Sequence, residues 1–232
     1  MGGSDQWGNI TAGIDLIRRR QGARAHGLTF PLIMRADGEK FGKSAGGAVW
    51  LSAERTSPYA FYQYWMNVDD RDAERFLLQL TLLPVTDVAE IMVDHVEAPH
   101  RRGAQRRLAH ELTALVHGDD AAEAAATASQ LLFGGDPGAA PASSLAMLER
   151  ELPTAPVPSA TLDAGVPAVD LAVASGLVTS RSDAGRALTA GELHVNGRRL
   201  EPGAEVTRTD LLHDRYLLVR RGKKRYALLV VA

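Results

Sequence analysis

The 232-residue chain contains no cysteine. Disulfides and thiolate metal centres are therefore excluded, and a cytoplasmic setting is the expectation. Long apolar runs are also missing: none approaches the roughly 20 residues that span a bilayer. The first residues, MGGSDQWGNI, lack the charged-then-apolar layout of a secretory leader. Closely spaced histidines are lacking as well. The seven are His26, His95, His100, His110, His117, His194 and His213, and no two lie three positions apart. What is present is ordinary for a globular protein: 45% hydrophobic and 23% charged residues, enough to build a core. The length suits one large domain or two small ones.

The net charge of −2 conceals an asymmetry. Residues 176–226 hold eleven Lys/Arg against six Asp/Glu, which leaves the rest of the chain at −7. A basic end on an acidic body points to a polyanionic partner. A solvated surface is the alternative on charge alone.

Four zones separate along the chain. Residues 1–52 alternate glycine-rich loops with short apolar runs. They read as a loop, a helix over Ile10–Arg20, a strand over Leu28–Met34 and a lysine loop, which is α/β grammar. Residues 53–134 carry helical apolar spacing, opened by Ser57 and Pro58 and continued with Leu108, Leu112, Leu115 and Val116 on one face. Residues 135–166 are rich in Pro, Gly, Ala and Ser and read as a linker, with a short helix over Leu145–Glu151. Residues 167–232 predict a small α+β unit. It has a helix capped by Ser180 and Asp183, a hairpin at Asn196-Gly197 and a second hairpin at Gly222-Lys223.

The stretch Asp37 to Ser44, DGEKFGKS, concentrates two lysines, two glycines and a hydroxyl. A Walker loop needs four residues between its glycines, and here Gly38 and Gly42 are separated by three. The other reading is a loop presenting two ammonium groups to the phosphates of a nucleotide. Lys40 and Lys43 would neutralise charge that develops on a departing pyrophosphate, and Ser44 would donate a hydrogen bond. A solvated turn remains the third possibility on these residues alone.

The segment PLIMRADGEKFGKS resembles the K-M-S-K-S-type signature of class I aminoacyl-tRNA synthetases, in the form found in bacterial tyrosyl-tRNA synthetases. GGSDQWGNI is similar to that family's nucleotide- and amino-acid-facing loop. SPYAFYQYWMNVDD and AQRRLAHELTALVHG resemble its helical anticodon-facing domain. SRSDAGRALTAGELHVNGRR resembles an S4-type RNA-binding module. The segments run in the family's order over nearly the whole chain.

The resemblance implies an α+β protein overall: part of an α/β Rossmann-like catalytic domain in 1–52, a helical anticodon-binding-type domain in 53–134, and an S4-like domain in 167–232. It implies a ligase that activates L-tyrosine with ATP and passes it to tRNA-Tyr. Mg2+ would accompany ATP, with no protein-bound metal and no membrane partner, in a cytoplasmic homodimer when full length. Lys40, Lys43 and Ser44 take catalytic places, with Lys40 and Lys43 contacting ATP. Gly3 and Asp5 fall where the family meets the adenosine ribose, and Gln6 where it touches tyrosine. Asp5 has a second reading as a helix cap. The family's H-x-G-H motif is absent from these residues, so it is expected upstream of Met1 with the tyrosine hydroxyl-recognition residues. The chain alone is then expected to be a partial, inactive synthetase. A non-catalytic S4-type RNA-binding protein of synthetase descent is the alternative.

The basic end supplies candidate RNA contacts. Arg181, Arg186, Arg198 and Arg199 fall on the capped helix and first hairpin. Arg220, Arg221, Lys223, Lys224 and Arg225 crowd the second hairpin, while Arg101, Arg102, Arg106 and Arg107 add a patch in the helical zone. Such a set suits backbone phosphates with little base reading.

Overall fold

The computed structural model describes residues 1–34, 36 and 49–231, arranged as a mixed α+β structure. The N-terminal segment is a small βαβ unit. Strand β1 (Gly2–Gly3) leads through helix α1 (Trp7–Gln21) to β2 (Thr29–Phe30), and the two strands pair in parallel. Gly22 ends α1 with φ 64°, a left-handed stop suited to glycine. Within the strand expected over Leu28–Met34, Thr29 and Phe30 pair with β1. None of the described residues from 1 to 36 is buried. Trp7, Leu16, Leu28 and Phe30 are all more than half exposed. Parallel sheets normally lie covered on both faces, so this unit shows apolar surface that its own elements do not close over.

The helical zone follows from caps and apolar spacing. Helix α2 (Pro58–Met66) opens where Ser57 accepts the Ala60 N–H at 3.1 Å, with Pro58 in its first turn. Helix α3 (Asp70–Leu80) opens on Asp69, which accepts the Arg71 N–H at 2.9 Å. Helices α4 (Val85–Glu97), α5 (Gly103–His117) and α6 (Asp119–Leu132) complete the bundle. Phe61, Trp65, Phe76, Leu77, Leu108 and Leu112 form the centre of its core. Edge-to-face contacts join Phe61 to Trp65 at 6.0 Å and Trp65 to Phe76 at 6.2 Å. Leu115, expected on the buried face of α5, points to solvent instead. The i, i+4 step from Leu112 reaches Val116, which packs against the core.

Residues 135–166 differ from the expected linker. They hold helix α7 (Ala142–Glu151), strand β3 (Thr154–Val157) and helix α8 (Ser159–Ala164). Leu145 and Leu148, three residues apart on α7, are fully buried. They join Ala128 and Leu131 of α6 to sheet residues Tyr216, Leu218 and Leu228 in one apolar cluster. Pro/Gly/Ala composition suggested too little apolar surface; two well-placed leucines suffice because both neighbours supply walls.

The C-terminal part contains β4 (Val166–Pro167), α9 (Ala168–Ala174), α10 (Arg181–Thr189), β5 (Leu193–Val195), β6 (Arg198–Arg199) and β7 (Glu205–Val206). The long hairpin of β8 (Tyr216–Arg221) and β9 (Arg225–Val231) ends it. The main sheet runs β3-β9-β8-β5-β6, with β3 parallel to β9 and the other pairs antiparallel. Asn196 and Gly197 turn between β5 and β6 with φ 47° and 81°, the geometry an Asn-Gly hairpin favours. One sheet face packs on α9 and α10 through Leu171, Leu188, Leu193, Val195, Leu217 and Leu229. The other face is partly covered by α6 and α7. Burial on both sides explains the near-continuous apolar runs of β8 and β9.

Candidate functional site

The N-terminal candidates come together at one point. Gly3 ends β1, while Asp5 and Gln6 lie in the 3-10 turn Ser4–Gln6 that feeds α1. A Cβ at Gly3 would sit 2.7 Å from Asp5 Oδ1 and 2.9 Å from Leu32 Cδ2, so a larger residue there would push the Asp5 and Leu32 side chains aside. Gln6 Nε2 donates to Asp5 Oδ2 at 3.4 Å, and Asn9 Nδ2 donates to Gln6 Oε1 at 2.9 Å. Asp5 makes no capping bond to α1, whose N-cap position is Gln6. The capping alternative therefore lacks its hydrogen bond. Its exposed carboxylate stands in the turn that enters α1.

Lys40, Lys43 and Ser44 lie outside the described residues. Just ahead of them, the Ala36 N–H donates to Asp72 Oδ2 at 2.9 Å. Asp72 is buried on α3 and also holds Arg75.

The basic candidates divide by what they touch. Arg181 pairs with Asp170 at 2.6 Å and Arg186 with Asp183 at 3.7 Å, both on the helical side of the sheet. Arg198 pairs with Asp210 at 2.8 Å and Arg199 with Glu201 at 3.3 Å. Arg221 is tied inward: it donates to Asp183 at 2.9 and 3.1 Å and to Glu192 at 3.2 Å. The Arg221 hydrogen bond, then the Thr179 N–H, hold the Asp183 carboxyl below its usual range. Arg221 is thus a strut between β8 and α10. By contrast, Arg220, Lys223, Lys224 and Arg225 have no ion pair among the described residues.

Those four cations line a cleft of about 910 Å³ between the helical bundle and the sheet. Tyr226 of β9 stands beside the cations, and the other walls come from Tyr59 and Gln63 of α2 and Phe133 at the end of α6. Burial, then Glu151, pushes the Tyr59 phenol up to about 12, so it stays protonated at any physiological pH. Phe133 is 83% exposed at the cleft edge. Unpaired cations beside flat rings suit an anionic chain carrying planar groups. Sequence reading found the cations of this cleft but not Tyr59, Phe133 or Tyr226. They are far apart in the chain, and each reads locally as a packing residue.

The floor under the cleft is firm. Ser57 Oγ donates to Glu151, Tyr216 Oη donates to Glu149 at 3.1 Å, and His213 Nε2 lies 2.7 Å from the Ala140 carbonyl. These bonds and the shared apolar cluster fix the hairpin against α2 and α6 through α7.

The profile of the class I tRNA synthetases (W and Y) matches residues 1–134, more than half the chain. The chain belongs to that class. A second profile, that of the tyrosine–tRNA ligase SYY-like C-terminal domain, matches residues 150–229, and with it the tyrosyl-tRNA synthetase family is the branch concerned. The tyrosine–tRNA ligase of Anaeromyxobacter dehalogenans (strain 2CP-1 / ATCC BAA-258) is 48% identical over 233 residues, covering 100% of this chain and 55% of that protein. That of Geobacillus kaustophilus (strain HTA426) is 46% identical over 232 residues, covering 99% of this chain and 54% of that protein. A C-terminally truncated Coccidioides posadasii mitochondrial tyrosyl-tRNA synthetase shares 37% identity at a TM-score of 0.46, covering 54% of this chain and 37% of that one. The chain spans about half the length of the curated relatives it matches.

Proposed function

We propose that this chain serves the ATP-dependent activation of L-tyrosine and its transfer to tRNA-Tyr, supplying the signature-lysine segment and the tRNA-holding surface. Residues 1–52 bring part of the catalytic domain, 53–134 the anticodon-facing helices and 167–232 the S4-like module. Lys40 and Lys43 stabilise the leaving pyrophosphate, with Ser44 beside them. Gly3 and Asp5 meet the ribose of ATP, which enters with its Mg2+ as substrate, and Gln6 meets tyrosine. Arg181, Arg186, Arg198 and Arg199 add phosphate contacts around the tRNA. The reaction is cytoplasmic and the full-length enzyme a homodimer. No helix among the described residues is long and apolar enough to cross a membrane.

The observation that carries this reading is the cleft, where Lys223, Lys224 and two neighbouring arginines have no acidic partner among the described residues and share the lining with Tyr59 and Phe133. Binding of tRNA should weaken as salt rises. The Lys223→Ala/Lys224→Ala variant should lower the log–log slope by about 0.7–0.9 per lost phosphate contact. Binding that ignores salt would count against it.

Catalysis is tested by ATP–pyrophosphate exchange. The chain alone is expected to show none, because its 232 residues hold no H-x-G-H motif. Fused to the N-terminal half of the Geobacillus kaustophilus relative, it should exchange, and Lys40→Ala/Lys43→Ala should cut the rate by about a hundredfold or more. A second reading, a non-catalytic RNA-binding protein, draws on the unburied N-terminal unit. It predicts intact tRNA binding with a silent fusion.

A further inference from the structure

A row of side chains crosses the C-terminal sheet in register. Arg199 of β6 pairs with His194 of β5, His194 pairs with Arg220 of β8, and Arg220 pairs with Tyr226 of β9. Directly opposed residues of antiparallel strands share a face, their Cβ atoms about 4.5–5.5 Å apart. Leu193 and Val195, the neighbours of His194, point the other way into the core under α9 and α10. The row therefore lies on the face that α6 and α7 cover at Leu218, Tyr226 and Leu228, and runs from that cover outward to β6. An imidazole sits between two arginines, at the margin of the cleft that Arg220 and Tyr226 line.

We propose that His194 takes up a proton when RNA phosphates settle on Arg199 and Arg220, so that RNA binding at this sheet tightens as the pH falls. The proton comes from solvent, and no bond is made or broken. This deepens the RNA-binding reading above and rests on it.

The surroundings of the ring support the coupling. Burial, then the Arg220 and Arg199 guanidinium groups, hold His194 below its usual range, while the Glu192 backbone pushes the other way. Its Nδ1 is buried with no hydrogen-bond partner. The nearby carboxylates are engaged elsewhere: Glu192 holds Arg221 at 3.2 Å, Asp210 holds Arg198 at 2.8 Å, and Asp136 caps its own turn through the Gly138 N–H at 2.9 Å. Arg198 pairs with Val195 in register and so belongs to the other face. The Arg199–Glu201 pair is exposed and gives way to a phosphate readily. A phosphate on either arginine offsets the guanidinium repulsion that adds to burial in keeping the imidazole neutral. The protonated form then favours the bound state, and affinity must rise as pH falls toward and below the ordinary histidine value of about 6.5.

The test follows fluorescence anisotropy of labelled unfractionated tRNA at fixed ionic strength, from about pH 8 to about pH 5.5, for the wild type and His194→Gln. The wild type should tighten about three- to tenfold more than the variant, each pKa unit gained being worth about tenfold. The other histidines contribute equally to both and cancel. In parallel, the His194 ring titration in the wild type, read by NMR with and without tRNA, should move upward on binding. Equal pH slopes together with an unmoved titration overturn the proposal while leaving RNA binding intact. Absence of tRNA binding at every pH overturns the RNA reading itself.

Discussion

The first 36 residues and the last 66 both mix glycine turns with apolar runs, yet they end in opposite physical states. The C-terminal part encloses Leu171, Leu188, Leu193 and Leu217 between two helices and a sheet that is itself backed by α7. The N-terminal unit has a helix and a parallel strand pair, and none of its described residues is buried. The difference is closure, since the apolar residue types are alike. A two-stranded pair with one helix has nowhere to place Leu16, Leu28 or Phe30. A five-stranded sheet with helices on both faces removes nearly all its apolar residues from water. A catalytic reading resting on the first part therefore depends on what covers it, whereas an RNA-binding reading resting on the second does not.

The sharpest way to break this contrast is a matched pair of truncations. Leu193→Ala, in the closed part, should cost about 2–5 kcal/mol in urea unfolding. A loss no larger than that of an exposed leucine would mean the C-terminal core is not closed. Ser57→Ala comes next. It removes both the cap of α2 and the bond to Glu151, with an expected loss of about 0.5–2 kcal/mol and a weaker hold of the hairpin on the bundle.

The Arg221→Met variant probes the closed part through pH. Asp183 is held below its usual range, so its contribution is complete above the unfolded carboxyl value of about 3.9 and is lost as pH falls through the lowered folded value. The wild type should therefore lose stability in that acid window, and the variant should lose less there. An unchanged acid profile would remove Arg221 as the cause. His117, lowered by burial, has the same sign at a higher pH: holding its imidazole neutral in the fold costs stability as pH drops below about 6.5. The smallest effect belongs to the open part: Leu28→Ala should stay within about 0.5 kcal/mol. A loss as large as that of Leu193→Ala would show the N-terminal unit to be packed after all.

Much of the local structure was legible because its causes are local. Ser57 with Pro58, Ser180 and the Asn196-Gly197 turn each announce a boundary through their own backbone chemistry, and the structure places one at each. The linker was misread because composition counts residues and ignores where they fall, and Leu145 and Leu148 fall on one face of α7. Leu115 was misplaced because the face of α5 narrows to Leu108, Leu112 and Val116. The paired state of Arg198, Arg199 and Arg221, against Arg220 and Lys224 with no ion pair among the described residues, could not be read at all. Basic residues look alike in a string, and the carboxylates that claim some of them arrive from other elements.

By itself the sequence determined the main helices of the bundle, the C-terminal hairpins, several caps and turns, the basic end, and the motif order that marks the synthetase family. Those features depend on neighbours a few residues away. The tertiary structure decided which cations lack an ion pair among the described residues, which aromatics from α2 and α6 line the same cleft, and that His194 stands in register between Arg199 and Arg220. Each of these joins residues tens of positions apart, and burial and pairing become defined only when packing brings such distant groups together.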